Sequence, residues 1–426
     1  MKFSTGPATR ESAVLVAKTP HAHVTYPDWL ETSAFDGADL VLTPVERPDG
    51  FVPNLVLTSV ASTAPLTDAA AAAVRAAGAQ HDGAHVFAVD LWHPSPDGSP
   101  ARGRRIIFAY PGDDGQDVLV AKWVWATGSH HVHLSASCVP SQWTGYSPVF
   151  DGIAAHLALT ADPADAAEAA ARAGDAPLDA VVTARVGNPI ESLDDIPAPA
   201  FASAAPRLSP DALQAVLTGT ARSRIGAAHG VLARRDRGTA AAHELRDAGW
   251  IDDDGRLTRD GSAAGAALAA KRHIATVQAR RGDRAALLIA YAGPRGVLVL
   301  HDPALSEDVG GPADTASRHA VVLEPDHMPV FVAAWLGVTP AWPVSEPHEQ
   351  IAADELAAHI GATDGAVEPW TEVLIRGDDG DLYDVVSPSR GWLRIGAPVD
   401  GIHSLRAEPT AVVFDRLALL STRALA

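Results

Sequence analysis

Along the first 160 residues the apolar positions recur mostly at every second place, the spacing of half-buried strands. This pattern predicts strands at ESAVLVAK (11–18), DLVLTPV (39–45), NLVLTSV (54–60), HVFAVDLW (85–92), RRIIFAY (104–110), DVLVAKWVWA (117–126) and HHVHLSASC (130–138). PGDDGQ and TGS separate the last three with turn chemistry, so these read as an antiparallel meander. Two stretches switch to helical spacing. LTDAAAAAVRAAGAQ (66–80) predicts a helix started by Thr67 or Asp68, and SPVFDGIAAHLAL sets Val149, Phe150, Ile153, Ala154 and Leu157 on one helical face.

Beyond this region ADPADAAEAAARAG predicts another helix, followed by a β-like VVTARV. Residues 186–210 hold five prolines and little periodicity, which marks a linker. The second region opens with Ser209 capping PDALQAVLTG, then a helix over 239–249 and a tight hairpin, WIDDDGRLT, with Asp254-Gly255 at its tip. RDGSAAGAALAAKRHIATVQARR (259–281) predicts a long helical run. Strands follow at 284–291, 296–302 and 319–325, and PDHMPVFVAAWLG (325–337) is an amphipathic helix that leads into the proline-rich VTPAWPVSEP. The last portion places a helix, QIAADELAAHIG, before strand-like TEVLIRG, LYDVVSP, GWLRIG and TAVVFDRLALL. Both halves, 211–340 and 349–426, thus run helix first and antiparallel strands after, which suggests an internal duplication. The expected fold class is α+β, with a first domain at 1–160, a helix and linker at 161–210 and a second domain at 211–426.

Composition narrows the functional classes. A chain of 426 residues with 47% hydrophobic and 20% charged residues is a normal globular balance for more than one domain. The single cysteine excludes an internal disulfide framework. The start, MKFSTGPATRES, has no signal-like apolar core, and no run of 18 apolar residues predicts a membrane span, so a cytoplasmic protein is expected. A net charge of −19 repels nucleic-acid phosphate and anionic membranes, and the densest basic cluster is short, around Arg222, Arg224, Arg234, Arg235 and Arg237.

The most conspicuous candidate ligands lie in ATGSHHVHLSASC. Strand alternation puts Val132, Leu134, Ala136 and Cys138 on a core face and His131, His133, Ser135 and Ser137 on a solvated one. His131 and His133 can chelate a metal only with further ligands, and His21 and His23 of the HAH stretch are the candidates if that loop lies beside the strand. The simpler expectation is that the histidines decorate a strand and Cys138 is a small buried hydrophobe. By the same alternation Trp123 and Trp125 share a face with Leu119 and Ala121 and should lie in the core beneath the helix at 146–157. Lys122 marks the opposite face as partly solvated.

Other motifs fail on inspection. HELRD from His243 lacks a second histidine at 247. A calcium loop over 250–261 would put Trp250 and Gly261 where carboxylates are needed. No Walker loop, dinucleotide fingerprint or Gly-x-Ser-x-Gly elbow occurs. The segment 239–261 has a winged-helix outline, but its helix offers Glu244 and Asp247 beside Arg246 and its wing is acidic, a poor DNA reader.

Two resemblances add expectations. Pro53 to Leu159 resembles the PsbP-like domains of actinobacterial LpqN-type lipoproteins through PNLVLTSV, RGRRIIFAY, VLVAKWVWA, HVHLSAS and YSPVFDGIAAHLAL. That family is exported and lipidated, and this chain is expected to carry neither signal. The resemblance implies an antiparallel sheet with helices and a tendency toward binding. Residues from about Ala240 to Pro340 resemble the EspG-type chaperones of actinobacterial type VII (ESX) secretion, through AAHELRDAGWIDDDGRL, RRGDRAALLIAYAGPRGVLVLHD and HAVVLEPDHMPVFVAAWLGVTP, and more faintly through DLYDVVSPSRGWLRI. This implies a cytoplasmic, cofactor-free, non-catalytic adaptor that binds small helical secretion substrates through a sheet-derived surface. An enzyme or metal protein built on the two histidine pairs is the alternative, and a DNA-binding regulator using 239–261 the weaker one.

Overall fold

The computed structural model describes residues 13–92, 103–160, 205–223, 232–233, 236–306, 317–340, 350–363, 366–378, 380, 382–388 and 391–425. The helix expected within 161–186, most of the linker and the second proline-rich break lie outside the described residues. The fold class is α+β, with antiparallel strand pairing throughout the described sheets. Two compact units divide the chain. The first draws its described residues from Met1–Ala198, Thr339–Ser345 and Pro409–Ala418, and the second from Pro199–Val338, Glu346–Glu408 and Leu419–Ala426. The C-terminal region expected as one domain from 211 onward therefore lends a segment to the first unit.

In the first unit β1 (Val14–Lys18), β2 (Ala22–Pro27) and β10 (Ala158–Leu159) form a small sheet. The main sheet has seven strands: β3 (Leu30–Ser33), β4 (Leu40–Pro44), β5 (Asn54–Ala61), β6 (His85–Trp92), β7 (Gly103–Pro111), β8 (Asp117–Ala126) and β9 (His130–Cys138), ordered β3-β4-β5-β9-β8-β7-β6. The predicted meander is present as β7-β8-β9, and β2 and β3 were missed because their runs are short and broken by Pro27 and Asp28. One face carries α1 (Leu66–Gln80), whose Leu66, Ala69, Ala73 and Ala77 bury Ile106, Phe108, Val118, Val120 and Val124. The other face carries Trp123 and Trp125, 0% and 2% exposed, and α2 (Pro140–Ala155) packs against β8 and β9. The tryptophans thus lie where alternation put them. The helix starts earlier than expected, at Pro140, where Gln142 caps the backbone of Val139, and Val149 is only half-buried.

The second unit holds one ten-stranded sheet, ordered β11-β15-β14-β13-β12-β17-β18-β19-β20-β16. Its first half comprises β11 (Arg207–Leu208), the helices α3 (Pro210–Ser223), α4 (Ala240–Asp247) and α5 (Arg259–Ala270), then β12 (Arg272–Arg281), β13 (Arg284–Gly293), β14 (Gly296–His301) and β15 (Arg318–Leu323), and α6 (Met328–Leu336). Its second half repeats the scheme with β16 (Gln350–Ala352), α7 (Ala353–Gly361), β17 (Thr371–Gly377), β18 (Leu382–Ser387), β19 (Trp392–Ile395) and β20 (Ile402–Glu408); α8 (Thr410–Leu425) follows, its residues up to Ala418 belonging to the first unit. In each half a short strand pairs with the last strand of a four-stranded meander, and the halves meet antiparallel at β12 and β17. That is the topology of a duplication.

Three expectations need correction. The run 259–281 is not one helix: it ends at Lys271, which takes a left-handed φ of 54°, and 272–281 becomes the central strand β12, hydrogen-bonded on both sides. Pairing with two neighbours overrides the helix propensity of an Ala- and Arg-rich run. TAVVFDRLALL is not a strand but most of α8, because a short apolar run fits either state until its neighbours decide. The linker 186–210 is expected to be an exposed hinge or wrapping segment without its own core, but at its end Leu208 is fully buried in β11. The hairpin expected after 249 is present as a bridge between Ile251 and Leu257, and Leu245, Trp250, Ile251 and Leu257 enter the core under α3 to α5. Packing is close here: a side chain at Gly265 of α5 would meet Thr220 of α3, and one at Gly293 of β13 would lie 2.8 Å from Ala267 of α5.

Candidate functional site

The four histidines singled out from the sequence do not converge. His131 is buried, 8% exposed, and its Nε2 donates to the Ala64 carbonyl at 2.8 Å. This corrects the expectation that it sits on a solvated face: the loop before α1 closes over that part of the strand. His133 is half-buried, and its pKa falls to about 4, first through burial, then through the positive charges of Lys122 and His131 nearby. The HAH loop does lie beside β9, but its contact is a ring stack of His21 on His130, 3.9 Å between centroids. Among the described residues no three His, Cys, Asp or Glu side chains are placed to hold a metal. Cys138 is buried on the core face, as alternation places it.

A more unusual cluster lies on the tryptophan face of the first unit. Arg105 on β7 pairs in register with Asp90 on β6 and with Trp123 on β8. Asp90 is 6% and Arg105 7% exposed. The guanidinium lies 3.0 Å from Asp151 of α2 and within 6.0 Å of the rings of Trp92 and Trp123. From the start of α8 the backbone N–H of Ala411 donates to Asp90 Oδ2 at 3.3 Å, and Trp143 Nε1 of α2 donates to Asp415 Oδ1 at 2.7 Å. Phe414 stacks on Phe87 between these contacts, 4.1 Å centroid to centroid.

Three carboxyls thus share one guanidinium in a largely dry layer. Burial is the main force on Asp90 and lifts its pKa to about 6; Arg105 and the Ala411 N–H pull it down, and Asp415 adds to the rise. Burial lifts Asp151 to about 6 as well, against the pull of Arg105, and raises Asp415. A third of the Asp151 side chain reaches solvent, so Asp90 is the group most deprived of water. Asp90 Oδ1, Arg105 Nε, Trp92 Nε1 and Trp123 Nε1 are buried without a hydrogen-bond partner, an unusual concentration of unmet polar atoms. Sequence reasoning missed this site. Its signal was there, since Asp90 and Arg105 stand in phase with Ala88 and Ile107, apolar inward positions of their strands, but Asp151 and Asp415 come from distant helices that no periodicity connects.

On the second unit's sheet, α5 packs against β13, β14 and β15, α7 contacts β12, and the same side runs on by register across β12, β17 and β18, where Val386 is fully buried. There Thr276, Gln278, Leu287, Ile289, Leu374, Arg376 and Leu382 share one side by register, with Gln278 and Arg376 exposed and Leu382 46% exposed. The opposite side, including Val277, Leu288, Val373 and Val385, is fully buried.

No family model and no curated protein matches the chain. Among solved structures, it is similar to PsbP (CyanoP) of Synechocystis sp. PCC 6803, at 12% identity over 37% of this chain and 98% of that one, with a TM-score of 0.28. It is also similar to a protein of Bacteroides thetaiotaomicron, at 8% identity over 69% of this chain and 87% of that one, with a TM-score of 0.25. Likeness of this degree carries nothing about activity. No helix among the described residues is long and apolar enough to cross a membrane.

Proposed function

We propose that the protein is a non-catalytic adaptor or chaperone of type VII secretion, with a PsbP-like first unit and an EspG-like second unit, which holds small helical substrate proteins in the cytoplasm. The observation that carries this reading is the sheet face around Leu374, Arg376 and Leu382, where exposed Leu382 and Arg376 stand beside half-buried Leu374 on a ten-stranded sheet. Exposed apolar residues ringed by polar ones are the usual mark of a protein-binding surface. The resemblance of AAHELRDAGWIDDDGRL and the strands after it to EspG-type chaperones supplies the partner class.

The test is co-purification from cells that express small helical secretion substrates. The wild-type chain should retain such a substrate, and Leu382→Glu with Leu374→Glu should reduce recovery at least tenfold, a loss of about 1.4 kcal/mol or more, without lowering the melting temperature. Failure of the wild type to recover any secretion substrate would sink the reading.

A further inference from the structure

Asp90 and Asp415 hold the first turns of α8 against the sheet of the first unit, and this contact is built from groups that compete for too little positive charge. Each element packed there contributes. β6 brings Asp90, with His85 further along against Phe87; β7 brings Arg105; α2 brings Asp151; α8 brings Asp415 and its neighbour Arg416. With every carboxyl ionised, three negative charges face the Arg105 guanidinium, and Asp90 Oδ1 has no donor to meet it. Water would solvate these groups if the helix start lifted away. We propose that this cluster is a proton-binding site that latches the segment Pro409–Ala418 onto the first unit, closing when a proton is bound and loosening when it is lost.

The direction follows from linkage. The latched pKa of Asp90, about 6, lies above that of an exposed aspartate, 3.8. Its contribution to holding the helix is therefore fully present below the exposed value and is lost as pH rises through the latched one. The inference is independent of the secretion reading, because it concerns only residues of the first unit.

Hydrogen exchange on the full chain at pH 4.5 and pH 7, corrected for the intrinsic pH dependence of exchange, tests it. Amides of 410–418 should lose protection by about tenfold at the higher pH, as expected for an opening coupled to release of a proton. Amides of β8 should hold theirs. Asp90→Asn with Asp415→Asn, which keeps shape and removes charge, should keep the segment protected at both pH values. Equal wild-type protection at the two pH values would overturn the proposal, and so would a double variant that follows the wild type. The wild-type comparison needs no variant to fold, and Asp384→Asn, a raised-pKa aspartate of the other unit, should leave the response unchanged.

Discussion

Trp123 stands at an inward position of β8, and its neighbours in register, Arg105 and Leu134, both lie on the same buried face. Truncation to Ala removes a fully buried indole and should cost about 3–5 kcal/mol, read as a fall in the denaturant midpoint of the transition that reports the first unit. An unchanged midpoint with lost partner binding would instead make this face an interaction site. His131 teaches the converse. Alternation assigned it correctly to the face opposite Val132 and Leu134, yet solvation of that face depended on where the loop at Ala64 lies, which no local pattern encodes. His133, one turn of the pleat further on, is driven toward its neutral form by the same partial covering.

At the scale of elements, the misread boundary at Lys271 is the informative one. Gly would take the left-handed φ of 54° without a Cβ penalty, so Lys271→Gly should stabilise the protein by about 0.5–1 kcal/mol. The measurement is a rise in denaturant midpoint at constant slope; no rise would mean that the Lys271 side chain contributes more than its backbone strain costs. The strand beyond it places its two alanines where it is paired on both sides: Ala275 and Ala279 are buried at the centre of the sheet. Small residues that permit a helix in isolation are here the ones that fit between paired neighbours. α8 illustrates the same ambiguity in reverse, and its start is placed by Asp90, a residue far away in the chain.

At the scale of the whole molecule, charge and topology matter more than any motif. With a net charge of −19 and an acidic hairpin at Asp252, Asp253 and Asp254, the protein should pass through a DNA column unretained at about 0.1 M salt. Retention that weakens steeply as salt rises would revive the DNA-binding alternative. The repeated scheme of short strand, helix and four-stranded meander gives the second unit a nearly continuous sheet whose terminal strands are short, β11 and β16, which limits edge pairing with other chains.

Local periodicity by itself determined the α+β class, the meander of β7 to β9, the inward tryptophans and buried Cys138, because each depends on spacing within a few residues. Tertiary structure alone decided that 272–281 is a strand, that 410–420 is helical, that His131 is buried, and that Asp90, Arg105, Asp151 and Asp415 meet. Those outcomes turn on which neighbours supply hydrogen bonds and exclude water, and such neighbours are brought together only by the folded chain.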